Sequence, residues 1–84
     1  MTPVTHAELA NLDVTIAKFV LPRLRAFKDT KDASYPADLG NHADWLAELD
    51  RMIDAWEGIL ADQARPNMRD NLHLFADRLG DLWL

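Results

Sequence analysis

Histidine and carboxylate side chains are the groups of this chain that could bind a metal ion or transfer a proton, and three of them lie close together in the sequence. His73 has Asp70 three positions before it and Asp77 four positions after it, which places all three on one side of a helix. Such a trio could hold a metal ion or move a proton. However, His6 and His42 are distant in sequence, and neither HxxxH nor HExxH occurs. We interpret the trio as a solvated helix side and predict no metal and no cofactor.

Acid–base catalysis by two carboxylates requires one of them to have a raised pKa, normally in an apolar cleft. Acids on a helix surface offer no such asymmetry, and a chain of 84 residues leaves little room for a cleft. The sequence contains no Gly-rich phosphate loop, no GxSxG and no cysteine, so disulfides and thiolate metal sites are excluded. These observations predict a protein that is not an enzyme.

The segment 45–56, WLAELDRMIDAW, is the element around which the other segments are expected to pack. Apolar residues recur along it at steps of three and four, the spacing of one helical stripe. The stripe comprises Trp45, Leu49, Met52, Ile53, Trp56 and Leu60. We predict a helix over residues 42–64, with Asn41 as its N-cap, Asp44 in its first turn and Pro66 closing it.

Two further helices are predicted, over residues 6–29 and 68–83, with a loop over 30–41. In the first, Thr5 and Glu8 fit a capping box, and Pro22 should kink or break the helix because proline lacks the N–H donor. In the third, Asn67 is the expected cap. The apolar stripes are Leu9, Leu12, Ile16, Phe19, Val20, Leu24 and Phe27 in the first helix, and Met68, Leu72, Phe75, Leu79 and Leu82 or Trp83 in the third.

These elements predict a single domain over residues 1–84. Its fold class is all-α: a small antiparallel three-helix bundle whose first helix is kinked or broken at Pro22. In a chain of this size a single hydrophobic core is barely sufficient for a stable monomer, so an oligomer is the alternative to a monomeric bundle.

The overall charge restricts the kinds of partner. Nine Lys and Arg against 14 Asp and Glu give a net charge of −5, which disfavours direct binding of nucleic acid and favours a partner with a basic surface. The N-terminal residues do not resemble a signal peptide, and no apolar run is long enough to span a membrane. We therefore expect a cytoplasmic protein without membrane contact.

Charge is also uneven along the chain. The basic residues Lys18, Arg23, Arg25, Lys28 and Lys31 are followed by the acids Asp32, Asp38, Asp44, Glu48, Asp50, Asp54, Glu57 and Asp62, interrupted only by Arg51. One explanation is intramolecular, with the basic end of the first helix lying beside the acidic central helix, where Asp50 or Asp54 could also reach Arg23. The other is a docking surface for a basic partner, in which Asp44, Glu48 and Asp62 flank one side of the central stripe and Asp50, Asp54 and Glu57 flank the other. The second row has a spacing comparable to that of nucleic-acid phosphates, about 6–7 Å.

The three tryptophans are expected to be core residues, with one exception. Trp83 stands in the terminal LWL. An exposed tryptophan there would leave an apolar patch suited to self-association or to a partner.

Three segments together resemble a family of small bacteriophage and prophage proteins: LPRLRAF (21–27), YPADLGNHADWLAELDRMIDAWE (35–57) and NLHLFADRLGDLWL (71–84). The matching positions are Pro22, Arg23, Leu24, Phe27, Tyr35, Pro36, Trp45, Leu49, Asp50, Met52, Ile53, Trp56, Glu57, Leu74, Phe75, Leu82 and Trp83. Trp56 departs from the phenylalanine expected at its position. The family has no established activity.

Phage resemblance, small size and acidity imply a stoichiometric inhibitor of a host nucleic-acid-binding defence complex, of the anti-CRISPR kind, acting in the host cytoplasm. Its expected partner is a basic surface of a host protein or nucleoprotein complex. The alternative is a phage assembly or accessory protein that forms a homodimer through the patch near Trp83.

Overall fold

The computed structural model describes residues 4–30 and 35–83, and the regular structure within them is helical. The helices are α1 (His6–Ala10), α2 (Leu12–Asp29), α3 (His42–Ala61) and α4 (Met68–Asp77), followed by a 3-10 turn over Leu79–Asp81. The predicted all-α class is confirmed. Residues 31–34 of the predicted loop, with Lys31 and Asp32, lie outside the described residues. None of the helices in the described ranges combines the length and apolar character that a membrane crossing requires.

The helix starts follow from local capping. Asn41 accepts a hydrogen bond from the Asp44 N–H at 2.9 Å, as predicted. Of the capping box predicted at Thr5, one half is present: the Thr5 hydroxyl accepts from the Glu8 N–H at 3.3 Å, while the described residues show no return bond from the Thr5 N–H to the Glu8 carboxylate. Asn67 does stand at the N-cap of α4, but its side chain makes no cap hydrogen bond. Its backbone is left-handed, with φ of 60°, a conformation that asparagine tolerates better than most residues.

The sequence predicted a kink or a break of the first helix at Pro22, and the break is wrong. α2 continues through Pro22, and the interruption falls instead at Asn11, whose φ of −131° and ψ of 62° are not helical. Pro22 and Lys18 are both exposed, so water can reach the Lys18 carbonyl that proline leaves without its helical donor. A proline on the solvent side of a helix therefore costs a hydrogen bond without ending the helix.

The core is built on the predicted stripe of α3. Trp45, Leu49, Met52, Ile53 and Trp56 are all buried there, whereas Leu60, the last residue of the predicted stripe, is 37% exposed. Phe27 of α2 meets the Trp45 ring edge-to-face at a centroid distance of 6.4 Å, and Phe75 of α4 meets Trp56 in the same way at 5.4 Å. The two tryptophans therefore anchor the neighbouring helices on α3. Their indole N–H groups are buried and have no hydrogen-bond partner within the described residues.

The predicted stripe of α2 is only partly a core stripe. The residues of α2 buried against α3 are Ala17, Leu21 and Leu24, of which only Leu24 belongs to the predicted set. Most of the predicted stripe lies on the adjacent side of the helix, and Ile16 and Phe19 are 41% and 60% exposed. Apolar residues are therefore spread over about half the circumference of α2, and α3 packs against only part of this apolar surface.

The arrangement of the helices leaves one side open. α2 and α4 both pack against α3, but within the described ranges no Cα atoms of α2 and α4 come within 8 Å of each other. The radius of gyration is 14.0 Å, against about 12 Å for a compact domain of this length. Between α2 and α4 lies an apolar groove of about 310 Å³.

Candidate functional site: the acidic edge of α3 and an open apolar face

The outer row of α3 acids is held in ion pairs by the chain's own cations. The pairs are Lys28–Asp50, Arg65–Asp54 at 2.9 Å and Arg25–Glu57 at 3.5 Å. Lys28 and Arg25 belong to α2, so the expectation that its basic end lies beside the acidic helix is confirmed. The side chains of Asp54 and Glu57 remain 44% and 36% exposed. The row therefore faces solvent, but with its charge partly neutralised.

Gly58 allows one of these cations to approach. A Cβ atom at Gly58 would lie 3.0 Å from the Gln63 carbonyl oxygen and 2.3 Å from the end of the Met68 side chain. Because glycine has no such atom, the loop after α3 folds back onto the helix. This brings Arg65 to Asp54 and to within 3.9 Å of Glu57.

The other three predicted docking acids have roles within the fold. Asp44 stands in the Asn41 cap, and the Asn41 amide also donates to its carboxylate at 3.3 Å. Glu48 is held by Arg78, with only 17% of its side chain exposed. Asp62 ends α3 in a left-handed conformation with φ of 54°. Of these three, Asp44 and Asp62 are exposed and have no ion-pair partner among the described residues.

Asp62 serves the fold through its backbone. The Asp62 and Gln63 N–H groups donate to the carbonyls of Ile59 and Gly58 at 3.2 and 2.9 Å, the pattern that closes many helices around a left-handed residue. A residue with a Cβ atom in that conformation costs about 1 kcal/mol, and glycine avoids the cost.

We therefore expect Asp62→Gly to raise the free energy of unfolding by about 0.5–1 kcal/mol. Asp62→Ala removes the same carboxylate but keeps the Cβ atom, so it should bring no such gain. Urea unfolding followed by circular dichroism measures both variants. Equal stabilities would show that the left-handed backbone is not the limiting feature.

Arg78 joins three segments that are distant in sequence. Its Nε donates to Glu48 of α3 at 2.7 Å, and its Nη1 and Nη2 donate to the two carboxylate oxygens of Asp38 at 2.8 and 3.0 Å. Asp81 lies 3.7 Å away. The Arg78 side chain is only 15% exposed. This residue therefore ties the loop before α3, α3 itself and the turn after α4.

The Arg78 cluster also shifts pKa values. Hydrogen bonds from Arg78 lower the pKa of Asp38 below its ordinary value, against a smaller opposing effect of desolvation. Hydrogen bonds to Asp38, and then those to Glu48, raise the pKa of Arg78 above its already high ordinary value. Sequence reasoning did not single out Arg78, because its partners lie 30 and 40 positions away and leave no local pattern.

Arg23 does not make the ion pair that the sequence suggested. Asp50 and Asp54 are taken by Lys28 and Arg65. Arg23 lies instead on the exposed side of α2, with its guanidinium 3.8 Å from the centre of the Phe19 ring and its Nη1 donating to the Phe19 carbonyl at 2.9 Å. Because α2 is not broken at Pro22, Arg23 stays beside the apolar stripe.

The second surface of interest is a set of uncovered apolar residues, here called the open face. It consists of Leu9, Leu12, Ile16, Phe19, Leu79 and Trp83, which are between 41% and 65% exposed. Phe19 and Leu79 stand on opposite walls of the groove between α2 and α4, and Arg23 is the charged residue of its lining. Trp83, the predicted exception among the tryptophans, is 65% exposed, whereas Trp45 and Trp56 are buried.

The third feature singled out from the sequence was the trio around His73. Asp70, His73 and Asp77 are all exposed on α4. In the described part of the chain, no three His, Asp or Glu side chains are placed to hold a metal ion together.

Comparison with family models, with curated proteins and with solved structures finds no match for this chain. The resemblance to small phage proteins therefore stays a prediction.

Proposed function

We propose that this protein acts by stoichiometric binding to another protein, and that it inhibits a host nucleic-acid-binding defence complex in the manner of anti-CRISPR proteins. The observation that carries the proposal is the row of Asp50, Asp54 and Glu57, which faces outward along the unbroken helix α3 in a chain with a net charge of −5. In this proposal α2, α3 and α4 form an antiparallel three-helix bundle that holds the row rigid.

The intramolecular ion pairs of the row are compatible with docking. Lys28 and Asp50, like Arg65 and Asp54, are partly exposed, and such pairs contribute about 0–1 kcal/mol each. Basic side chains of a partner can therefore replace Lys28 and Arg65 as the partners of these carboxylates, with little loss of free energy. Lysines or arginines that normally bind phosphates would form that surface, since their spacing suits carboxylates about 6 Å apart.

Binding fits the geometry better than catalysis does. The groove between α2 and α4 is lined by apolar residues and a single charged one, Arg23. A catalytic cleft would instead bring together several titratable groups with opposed pKa shifts. We propose no cofactor and no direct contact with nucleic acid or membrane.

Charge reversal tests the acidic row. The variant Asp54→Lys/Glu57→Lys should associate at least about tenfold more slowly with a partner captured from the host, and the salt dependence of the association rate should weaken. The matched control is Asp70→Lys/Asp77→Lys, which makes the same change of charge on exposed acids of α4. The association rate is measured by surface plasmon resonance at several salt concentrations. Equal rates for the two double variants would refute docking through the row.

A second candidate is a phage assembly or accessory protein that self-associates through an apolar patch near Trp83. The 65% exposure of Trp83 favours it. This candidate needs no host partner, and sedimentation of the purified chain tests it directly.

A further inference from the structure

We infer that the occupant of the open face is a second copy of this chain, related by a two-fold axis, with its α2 running antiparallel to the first. This inference rests on the second candidate, self-association, and extends it by naming the contact surface and the orientation.

The first argument is the size of the open face. A whole aromatic residue offers about 150–250 Å² and an aliphatic one somewhat less, so this half-exposed set leaves on the order of 500 Å² of apolar surface in water. A standard interface takes about 800 Å² from each partner, and about 65% of a homodimer interface is apolar. The open face therefore supplies about the apolar area that one side of a homodimer requires.

The second argument is the distribution of charge along α1 and α2. From residue 4 to residue 17 the charged side chains are the acids Glu8 and Asp13, whereas from residue 18 to residue 28 they are all basic. Arg25 and Lys28 form ion pairs with acids of α3. Lys18 and Arg23, in contrast, have no carboxylate partner among the described residues. Two antiparallel copies place the acidic end of each helix beside the basic end of the other. A parallel pair would bring like charges together.

The spacing of the apolar residues fits this orientation. Leu12, Ile16, Phe19 and Arg23 are separated by four, three and four residues, so they lie along one line of α2. In an antiparallel pair whose axis passes between Ile16 and Phe19, Ile16 of each copy meets Phe19 of the other. Each Arg23 then lies opposite Leu12 of its partner, on the side where the partner's acids Glu8 and Asp13 lie along the chain. Because both residues of each contact come from the same line, the surface is self-complementary, as a two-fold interface requires.

The oligomeric state of the full chain over a dilution series tests the inference. Sedimentation velocity should find a dimer that dissociates on dilution, and Ile16→Glu should raise its dissociation constant by at least about tenfold. Leu60→Glu is the matched control: Leu60 is 37% exposed, against 41% for Ile16, but it belongs to α3 and not to the contact line of α2. Ile16 is already exposed, so its variant should keep the wild-type circular dichroism. A monomer at every concentration, or an Ile16→Glu dimer as stable as that of the control, overturns the inference.

A charge exchange tests the orientation. Arg23→Glu should weaken the dimer, and adding Glu8→Arg should restore it, because the two residues exchange charges across the antiparallel pair. Failure of the second substitution to restore the dimer overturns the antiparallel arrangement. If Trp83→Ala dissolves the dimer while Ile16→Glu does not, self-association stands and the contact through α2 is overturned.

Discussion

Replacing Trp45 by alanine is expected to lower the free energy of unfolding by about 3–5 kcal/mol, the largest effect of any single substitution considered for this chain. Trp45 is completely buried and packs against Phe27 of α2 with the two rings nearly perpendicular. A chain of 84 residues has a total stability of about 4–13 kcal/mol. The variant should therefore lose a large share of the stability of the chain, which urea unfolding followed by far-UV circular dichroism would measure.

Trp45→Phe is the informative control for that experiment. It keeps an aromatic ring in the core and removes an indole N–H that is buried without a partner. An unsatisfied buried donor costs about 1–3 kcal/mol, which offsets part of the volume lost with the second ring. We expect a loss below about 1.5 kcal/mol. A loss as large as that of the alanine variant would mean that the indole N–H has a hydrogen-bond partner in solution.

Replacing Arg78 by alanine is expected to cost about 2–3 kcal/mol at neutral pH. The loss arises because the Glu48 carboxyl group, with only 17% of its side chain exposed, would lose the guanidinium that binds it. The link between the turn after α4 and Asp38 would be lost as well. Arg69→Ala is the control, since Arg69 is an exposed cation of the neighbouring helix α4, and it should change the stability by less than about 0.5 kcal/mol.

The Arg78 effect should depend on pH in a defined direction. The pKa of Asp38 is lowered in the folded chain, so its pairing contributes stability above the ordinary value of 3.8 and loses it as the pH falls through the lowered value. Arg78 stays charged throughout that range. The stability difference between the wild type and Arg78→Ala should therefore narrow as the pH falls below 3.8. A difference that stays constant down to pH 2 would contradict this coupling.

The central helix could be predicted from the sequence, whereas the burial of α2 could not. On α3 a single apolar stripe between polar flanks has only one possible inward side, and Trp45 and Trp56 are buried as predicted. On α2 the apolar residues cover a wide arc, so periodicity alone cannot tell which part of it meets α3. Ala17 and Leu21 form the inner side, and Ile16 and Phe19 stay exposed.

The candidate site shows the same limit for charged residues. Charge distribution along the sequence predicted that α2 and α3 pair, because both helices carry long runs of one sign, and Lys28 with Asp50 confirms it. The cluster around Arg78 could not be predicted, since each of its acids looks like an ordinary surface residue in its own segment. The interruption at Asn11 likewise depends on contacts outside the helical pattern, such as the Thr15 hydroxyl donating to the Glu8 carbonyl at 3.0 Å.

The packing of α4 mainly against α3 has a consequence for how the molecule opens. α4 is held by the Trp56–Phe75 contact, by Arg51 donating to Asn71 at 2.9 Å and by the Arg78 cluster. Because no Cα atom of α2 lies within 8 Å of α4 among the described residues, α4 and the turn after it can separate from the rest as one cooperative unit, while α2 and α3 stay packed together. Amide protons of α4 should then exchange with solvent before those of α3. Each such opening would also widen the groove between α2 and α4 and expose the sides of α2 and α3 that face it.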